Sequence, residues 1–384
     1  MNRQAAFRAT LLIMALFVLQ PLAIGGWLAL IPWVKEMLGL SKGELAFALL
    51  GMPLSLIPTL QLAGRVIGGL GPRRIFMAVF PLQALAVMLP LLAWSGPSLF
   101  FALAVLGATT AFLEVGINVY AGRLEKRAKL MIMNRCHGFW ALGITLGSAW
   151  VAALAGVSPW ILLGVLALGS AVFGVWSAFA LPRLGDDDES GTAPPRRRFA
   201  ELPRALIFVA LFMFFVTMAE GAMADWAAVY LAERLGDGVE GAGIAVTIFS
   251  AFMAGGRFLG DWLKRHLGGV ALARVTVGCA IAGLALLVLP LPLAVAYPGF
   301  ALVGFGVSAA YPLGVSAIAA LDDRYEASNI AIMATVALGG FLVGPPIIGT
   351  LAELTSLPIG LAALLPGLIL AILLTRWLRP QIPG

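Results

Sequence analysis

The sequence predicts an all-α membrane protein with twelve transmembrane helices in two pseudo-symmetric six-helix bundles. The composition, twelve apolar runs of spanning length and a motif present in both halves all indicate this fold. Of the 384 residues, 61% are hydrophobic and only 11% are charged. A soluble domain is about 45–50% apolar and about 25% charged. The composition therefore excludes a soluble globular protein.

The twelve apolar runs are long enough to cross about 30 Å of hydrocarbon as helices that rise 1.5 Å per residue. They are continuously apolar rather than alternating, which argues against transmembrane strands. They lie at residues 9–34, 45–69, 75–94, 98–122, 136–156, 160–181, 205–231, 241–263, 270–290, 295–320, 328–351 and 357–378. The first run lacks the pattern of a cleaved signal peptide, so we expect it to remain as helix 1.

The basic residues predict the orientation of the chain. Of the 25 Lys and Arg residues, only Lys35, Lys42 and Arg234 lie on the side opposite the two termini, which leaves 22 on the terminal side. Positive loops stay in the cytoplasm. We therefore expect a multi-pass protein of a bacterial-type inner membrane with both termini cytoplasmic. The net charge of +6 then reflects topology and indicates no nucleic-acid partner.

The longest polar interruption, residues 182–204, contains an acidic run at 186–189 and a basic run at 196–198. Such charge runs are typical of solvated linkers. We expect an N-terminal six-helix bundle at 1–181, a cytoplasmic linker at 182–204 and a C-terminal bundle at 205–384. The linker would let the bundles move against each other. A helix kink is also expected at Pro345 and Pro346.

A glycine and basic-residue motif recurs at the end of the second helix of each half. Its residues are Gly64, Arg65 and Arg73 in the first half and Gly256, Arg257, Asp261 and Arg265 in the second. In each half two glycines lie four residues apart, at 64 and 68 and at 256 and 260, and this spacing predicts close packing of neighbouring helices. Asp261 could bridge the helix end to Arg257 or to a neighbouring loop. Repeated six-helix halves around a cavity are the design of alternating-access transporters.

This repeated motif resembles the helix 2–3 loop motif of the major facilitator superfamily, and the resemblance extends over the whole twelve-helix layout. The first half departs from the family pattern, with Gly68 and Gly69 where the family has an acid and an arginine. The resemblance implies a secondary transporter whose two halves rock around a central substrate site.

A narrower resemblance comes from helix 4 at 113–118 and the start of helix 5 at 133–143. These segments are similar to the fucose-permease-related branch, and 27–32 with 220–231 look closer to its YbjJ-like members. The branch implies proton-linked movement of sugars or comparable polar solutes. Leu28 stands about where the sugar permease has its helix 1 acid, so this chain departs from the branch there.

Three acids lie inside predicted spans, where a carboxylate costs about 2.5–3.5 kcal/mol on insertion scales. They are Glu114, Glu220 and Asp225. Glu114 forms a stripe with Thr110 and Asn118, four residues to either side, so it is expected to face the central cavity. The alternative is a structural ion pair with Arg135.

Further candidates follow from the positions of the other polar and aromatic residues. Glu220 is expected to line the cavity or to bind a second proton. Asp225 is rotated by about 140° from Glu220 around the same helix, so it is expected to make a polar contact at the outer gate. His137 either carries protons or hydrogen-bonds locally. The remaining substrate-binding candidates are Gln20, Trp27, Asn134, Arg135, Trp140, Trp226 and Tyr311. If helix 10 is aligned with helix 4 by matching Gly304 to Gly107, Tyr311 takes the position that corresponds to Glu114.

We expect proton-coupled symport of a small polar, sugar-like solute by a monomer in the lipid bilayer, with Glu114, Glu220 and His137 as proton-coupling candidates. The alternatives are proton-driven export of amphipathic compounds, favoured by an aromatic wall, and a scaffold that has lost transport. The sequence lacks the phosphate-binding loop of ATP-driven pumps. Its two His and two scattered Cys suggest no metal site, so neither a cofactor nor catalytic residues are expected.

Overall fold

The computed structural model describes residues 3–184, 202–236, 241–319, 321 and 325–379. The acidic and basic runs of the expected linker, at 186–189 and 196–198, lie outside the described residues. Across the described ranges the regular secondary structure is helical, without strands. The predicted all-α class is therefore confirmed.

Within the described ranges, twelve helical segments of spanning length follow one another, as predicted. They are α1 Arg3–Leu38, α2 Lys42–Leu70, α3 Pro72–Leu92, α4 Gly96–Ala128, α5 Met133–Ala153, α6 Pro159–Ala180, α7 Arg204–Leu235, α8 Ile244–Leu267, α9 Gly269–Val288, α10 Leu293–Ala319, α11 Glu326–Leu354 and α12 Leu357–Leu378. In the described part of the chain, eleven are long and apolar enough to span a membrane, and α5 is 21 residues long but more polar.

The two halves repeat one pattern of helix packing. In the first half α1 packs on α5, α2 on α4 and α3 on α6, and in the second half α7 packs on α11, α8 on α10 and α9 on α12. Gly107 of α4 abuts the backbone of Met52, and Gly304 of α10 abuts the backbone of Phe249 in the same way. The chain therefore forms two pseudo-symmetric six-helix bundles, and the alignment of Gly304 with Gly107 agrees with the packing.

The bundles meet most fully toward the end opposite the termini. There Glu353 of α11 accepts hydrogen bonds from the backbone N–H groups of Lys42 and Gly43, at 2.8 and 3.2 Å. The Lys42 Nζ atom lies 3.2 Å from the Glu233 carboxylate. These three interactions, here called the opposite-end contact, join α2 to α7 and α11. One apolar core spans both bundles at this end, whereas the first bundle has a separate core near the termini.

A row of hydroxyl groups joins α5 to α8. Thr145 donates to Ser250 at 3.0 Å, and Thr247 donates to Ser148 at 3.0 Å. On α5, Thr145 and Ser148 add to the polarity that Asn134, Arg135 and His137 give the start of the helix, and their side faces a helix of the other bundle. The row is here called the hydroxyl seam.

The expectation that the motif glycines promote close packing is right at only one position. Gly256 packs tightly against Ser308 of α10. At Gly64, Gly68 and Gly260, no atom lies within 4 Å of the position that a Cβ would take. The expectation is wrong at these three positions because they face away from neighbouring helices.

Two glycines of α4 test how closely α2 and α4 pack. Gly107→Ala places a methyl group against the Met52 backbone, so we expect a loss of about 1–3 kcal/mol in the free energy of unfolding. Gly122→Ala meets no atom within 4 Å and should keep or raise stability. Thermal melts of both purified variants in detergent measure the difference. Equal melting temperatures would contradict the close α2–α4 approach.

Candidate functional site

A buried ion pair joins α7 to α8 between the two bundles. The Arg257 Nη2 atom lies 2.9 Å from Glu220 Oε1, and the two side chains are 11% and 13% exposed. Either charge alone would be costly at this depth, because its lost hydration would be uncompensated. The pair is therefore a constraint on how α7 and α8 pack.

Arg257 also reaches the first bundle. Its Nη1 atom donates to the His137 carbonyl oxygen at 3.4 Å, and its guanidinium lies 5.8 Å from the centre of the Trp140 ring. The distance to Trp140 is in the range of a cation–π contact. The side chain thus links α8 to α5 as well as to α7.

Trp140 connects this arginine to α1. Its Nε1 atom donates to Gln20 Oε1 at 2.8 Å. The Gln20 side chain is buried, and its Nε2 atom has no hydrogen-bond partner within the described ranges. A buried donor without a partner is uncommon in native structures. The Gln20 amide is therefore an unsatisfied donor beside Trp140.

Glu114 of α4 completes the charged cluster. It lies close enough to Arg257 and Glu220 to interact electrostatically with both. Tyr311 of α10 interacts with Glu114, and its ring centre is 6.2 Å from that of His137. Two carboxylates and one guanidinium carry a net charge of −1 when both acids are ionised. The cluster therefore has one carboxylate more than its arginine can neutralise.

The polar stripe of α4 divides between two surroundings. Asn118 donates to the carbonyl oxygen of Glu114 at 2.9 Å, within its own helix. Thr110 is buried and accepts a hydrogen bond from Gln83 of α3 at 3.1 Å. The expected surface of three polar groups is therefore reduced to Glu114 and Asn118, because α3 covers Thr110.

The suggested pair of Glu114 with Arg135 is not formed. Arg135 is exposed at the start of α5, and Arg257 is the arginine beside Glu114. The reason is depth, because Arg135 lies in the first turn of α5, whereas Arg257 lies ten residues before the end of α8.

The conformational motif also differs from expectation. Asp261 accepts a hydrogen bond from Asn134 of the other bundle at 2.5 Å and does not bridge to Arg257. Arg73 donates to the carbonyl oxygens of Ala178 and Phe179 at the end of α6. Arg65 and Arg265 are exposed. Asn134 thus joins the bundles near the termini and does not line the site around Arg257.

Three residues that were expected to bind substrate lie away from the cluster around Arg257. Trp27 and Trp226 are completely buried in the apolar core shared by the bundles. Trp226 packs against Gly349 of α11, near the end opposite the termini. Asp225 is partly buried on a different face of α7 from Glu220. The predicted residues that the structure brings together around Arg257 are Gln20, Glu114, His137, Trp140, Glu220 and Tyr311.

Known proteins share both the sequence pattern and this architecture. Residues 11–327 match the family model of the Major Facilitator Superfamily. The chain belongs to this superfamily. Among its relatives are an uncharacterized MFS-type transporter of Yersinia pestis, 28% identical over 91% of both chains, and an uncharacterized transporter of Sinorhizobium fredii, 30% identical over 88% of this chain and 89% of that one. Membrane protein MosC of Rhizobium meliloti is 28% identical over 89% of this chain and 83% of that one.

Solved structures of the superfamily have the same fold. A crystal structure of the nucleoside transporter NupG superimposes with a TM-score of 0.78 at 14% identity, covering 97% of this chain and all of NupG. A bacterial homolog of the human lysosomal transporter Spinster, in an inward-facing conformation, gives a TM-score of 0.70 at 17% identity and covers 98% of each chain. At this identity the likeness shows the fold alone.

The sequence pattern does not reveal the central position of Arg257. The motif predicts that Arg257 lies at a helix end, although ten residues separate it from the end of α8. At 1.5 Å per residue it lies roughly 15 Å from that end. The depth criterion that singled out the three acids would have singled out this arginine as well.

Charge-removing variants test the ion pair. Arg257→Met leaves Glu220 buried without its partner, so we expect a loss of about 3–5 kcal/mol in stability. The double variant Arg257→Met with Glu220→Leu should recover most of this loss, because neither partner of the ion pair is left behind without the other. Arg265→Met, which removes an exposed arginine of the same helix, is the control. Thermal melts that rank the double variant below Arg257→Met would contradict the pairing.

Proposed function

We propose that this protein is a proton-coupled symporter of a small polar, sugar-like solute that works by alternating access. The observation that carries the proposal is the cluster of Glu114, Glu220 and Arg257 between the bundles. Alternating-access transporters hold substrate and coupling ion between their two halves. The cluster lies between the two bundles, and its carboxyl groups, Glu114 and Glu220, are titratable.

Proton coupling follows from the charge imbalance. Arg257 pairs with Glu220, so an ionised Glu114 would lack a cation of its own. A proton taken up by the Glu114 carboxylate forms a neutral carboxylic acid and removes the uncompensated charge. Its release on the other side of the membrane restores the carboxylate. Because Arg257 also contacts His137 and Trp140, these two events would alter the forces between the bundles.

The groups around the cluster suit a polyhydroxylated solute. Gln20 offers an unpartnered amide, Tyr311 a phenolic hydroxyl and Asn118 an amide oxygen. Trp140 offers an aromatic ring beside them. Hydrogen-bonding groups around one flat apolar surface match the alternating polar edge and apolar face of a sugar ring. The resemblance to the fucose-permease-related branch supports the same solute class.

Glu114→Gln tests the coupling step. The amide keeps the shape of the side chain but cannot take up a proton, so we expect no accumulation driven by a pH gradient in proteoliposomes, with solute exchange retained. The probe is the sugar that most raises the melting temperature of the wild-type protein in a thermal-shift screen. Glu36→Gln, which changes an exposed acid at the end of α1, is the control. Normal accumulation by Glu114→Gln would refute coupling at this residue.

A second candidate function is proton-driven export of amphipathic compounds. Phe139 of α5 and Phe258 of α8 form an edge-to-face contact, with ring centres 5.3 Å apart, in the turn next to Trp140 and Arg257. These rings extend the site with an apolar surface. The same thermal-shift screen separates the candidates, because an exporter of this kind would be stabilised by cationic drugs and not by sugars.

We further propose that the protein works as a monomer in a bacterial inner membrane, with its termini and the linker at 182–204 in the cytoplasm. The bundles at 1–181 and 205–384 would rock against each other across this linker. The distribution of basic residues supports the orientation.

A reporter fusion tests this orientation. Green fluorescent protein at the C-terminus should fluoresce, and alkaline phosphatase at the same position should be inactive, because the phosphatase requires export. The reverse pattern would place the termini outside the cytoplasm. Phosphatase fused after Arg234, in the last turn of α7, is the control and should be active.

A further inference from the structure

A groove on the outer surface of the first bundle lies between α3 and α6. Its volume is about 500 Å³, and its lining is almost entirely apolar. The residues that line it are Pro81, Ala171, Val172, Val175, Trp176 and Phe179. Behind the groove Phe80 packs against Gly174, and both are buried, so the groove opens outward and not into the bundle. Because α3 and α6 are of membrane-spanning length and apolarity, this opening faces lipid.

The groove has the length of an acyl-chain segment within one leaflet. On α6 it extends from Phe179, one residue before the helix end, back to Ala171, eight residues earlier. At 1.5 Å per residue this distance is roughly 12 Å. One leaflet contributes half of a hydrocarbon core that is about 30 Å thick. Outside the protein, a bilayer offers only hydrocarbon chains at this depth, so we expect a lipid chain to fill the groove.

Arg73 of α3 lies at the end of this groove nearest the termini. Its Nε atom donates to the Ala178 carbonyl oxygen at 3.1 Å, and its Nη2 atom donates to the Phe179 carbonyl oxygen at 2.8 Å. Since Phe179 also lines the groove, these two bonds hold the guanidinium at the level where a lipid headgroup begins. Arg73 forms no ion pair among the described residues. Its charge is therefore open to an anion of the membrane surface.

The surroundings of Arg73 carry an excess of positive charge. Segments 3–10, 71–78 and 177–184, at the ends of α1, α3 and α6 nearest the termini, contain five arginines and neither Asp nor Glu. The arginines are Arg3, Arg8, Arg73, Arg74 and Arg183. Arg8 lines a cavity of about 480 Å³ together with Ala180 and Pro182, so it lies beside the end of α6 on the α1 side. Basic clusters of this kind attract anionic lipid headgroups.

We propose that the groove between α3 and α6 is a binding site for an anionic phospholipid, with the phosphate-bearing headgroup beside Arg73 and an acyl chain along α6 from Phe179 to Ala171. Arg8 and Arg183 add positive charge around the headgroup. A zwitterionic phospholipid offers the same chain without net negative charge, so the arginines favour the anionic headgroup. In the proposed orientation this lipid belongs to the cytoplasmic leaflet. Because it contacts α3 and α6 together, it would stabilise their packing at this end of the first bundle.

Lipid titration of the purified protein in a neutral detergent tests this site. The probes are dioleoyl phosphatidylglycerol, which is anionic, and dioleoyl phosphatidylcholine, which has the same chains without net charge. A ligand that binds the folded state raises the apparent melting temperature. We expect a saturable rise with phosphatidylglycerol, a smaller rise with phosphatidylcholine, and none with glycerol phosphate, which has the phosphate without the chains. Native mass spectrometry should show phosphatidylglycerol retained on the protein.

Two pairs of variants separate the headgroup from the chain. Arg73→Gln should weaken the apparent affinity for phosphatidylglycerol roughly fivefold, the contribution of one basic residue near an anionic membrane surface. Arg265→Gln, which changes an exposed arginine of the second bundle, is its control and should keep the affinity. Val172→Phe fills the groove and should weaken the binding of both lipids. Val105→Phe, which changes another exposed valine of the first bundle, should leave both unchanged.

Several results would overturn the proposal. Equal responses to the two lipids, or an unchanged phosphatidylglycerol affinity in Arg73→Gln, would exclude an anionic-lipid site at this end of α6. A rise with glycerol phosphate alone would indicate a site for free phosphate instead, and unchanged lipid binding by Val172→Phe would exclude the groove. If Arg73→Gln does not fold, the double variant Arg8→Gln with Arg183→Gln removes charge without breaking the bonds to α6 and should lose the preference for phosphatidylglycerol. None of these readouts depends on proton coupling at Glu114 or on the orientation of the termini.

Discussion

Arg257 is a permanently charged side chain inside a membrane-spanning helix, and lipid cannot solvate it. Its guanidinium is satisfied by Glu220 on α7 and by the His137 carbonyl oxygen on α5, and it lies beside the Trp140 ring. Because lipid offers it no partners, the guanidinium holds α7 of its own bundle through an ion pair and α5 of the other bundle through one hydrogen bond and one aromatic contact. The positions of α5, α7 and α8 around the central site depend on this requirement.

Two other sets of interactions hold the bundles together, and they differ in strength. The hydroxyl seam between α5 and α8 consists of neutral hydrogen bonds, which contribute about 0.5–1.5 kcal/mol each. The opposite-end contact uses the Glu353 carboxylate on two backbone N–H groups, and charged acceptors make stronger bonds. In this conformation the bundles are therefore held by neutral hydrogen bonds at the seam and by a charged acceptor at the end opposite the termini.

One helix, α7, carries two acids that serve different neighbours. Glu220 faces Arg257 of α8, whereas Asp225 lies in the seam with α11. Their separation by five residues puts them on different faces of the helix. Glu220 and Asp225 are therefore positioned to affect different helix contacts of α7.

The fold could be predicted from sequence because lipid imposes rules that act locally. An apolar run of sufficient length must form a helix in lipid, and the sequence contains twelve such runs. The two-bundle repeat was also predictable, because a glycine and basic-residue motif recurs in the second helix of each half, at Gly64 and Arg65 and at Gly256 and Arg257. The acids Glu114 and Glu220 stood out since charge in an apolar run is costly wherever the run packs.

The partners of these residues were decided by tertiary structure alone. Arg135 is near Glu114 in the sequence, yet Arg257, which is 143 residues away in the chain, lies beside it. Likewise α3 covers Thr110, and the shared core encloses Trp27 and Trp226. The physical reason is that lipid requires each polar group to be satisfied but does not specify by which helix. The sequence by itself determined the helices and the buried charges, and the packing of the two bundles determined which charges meet.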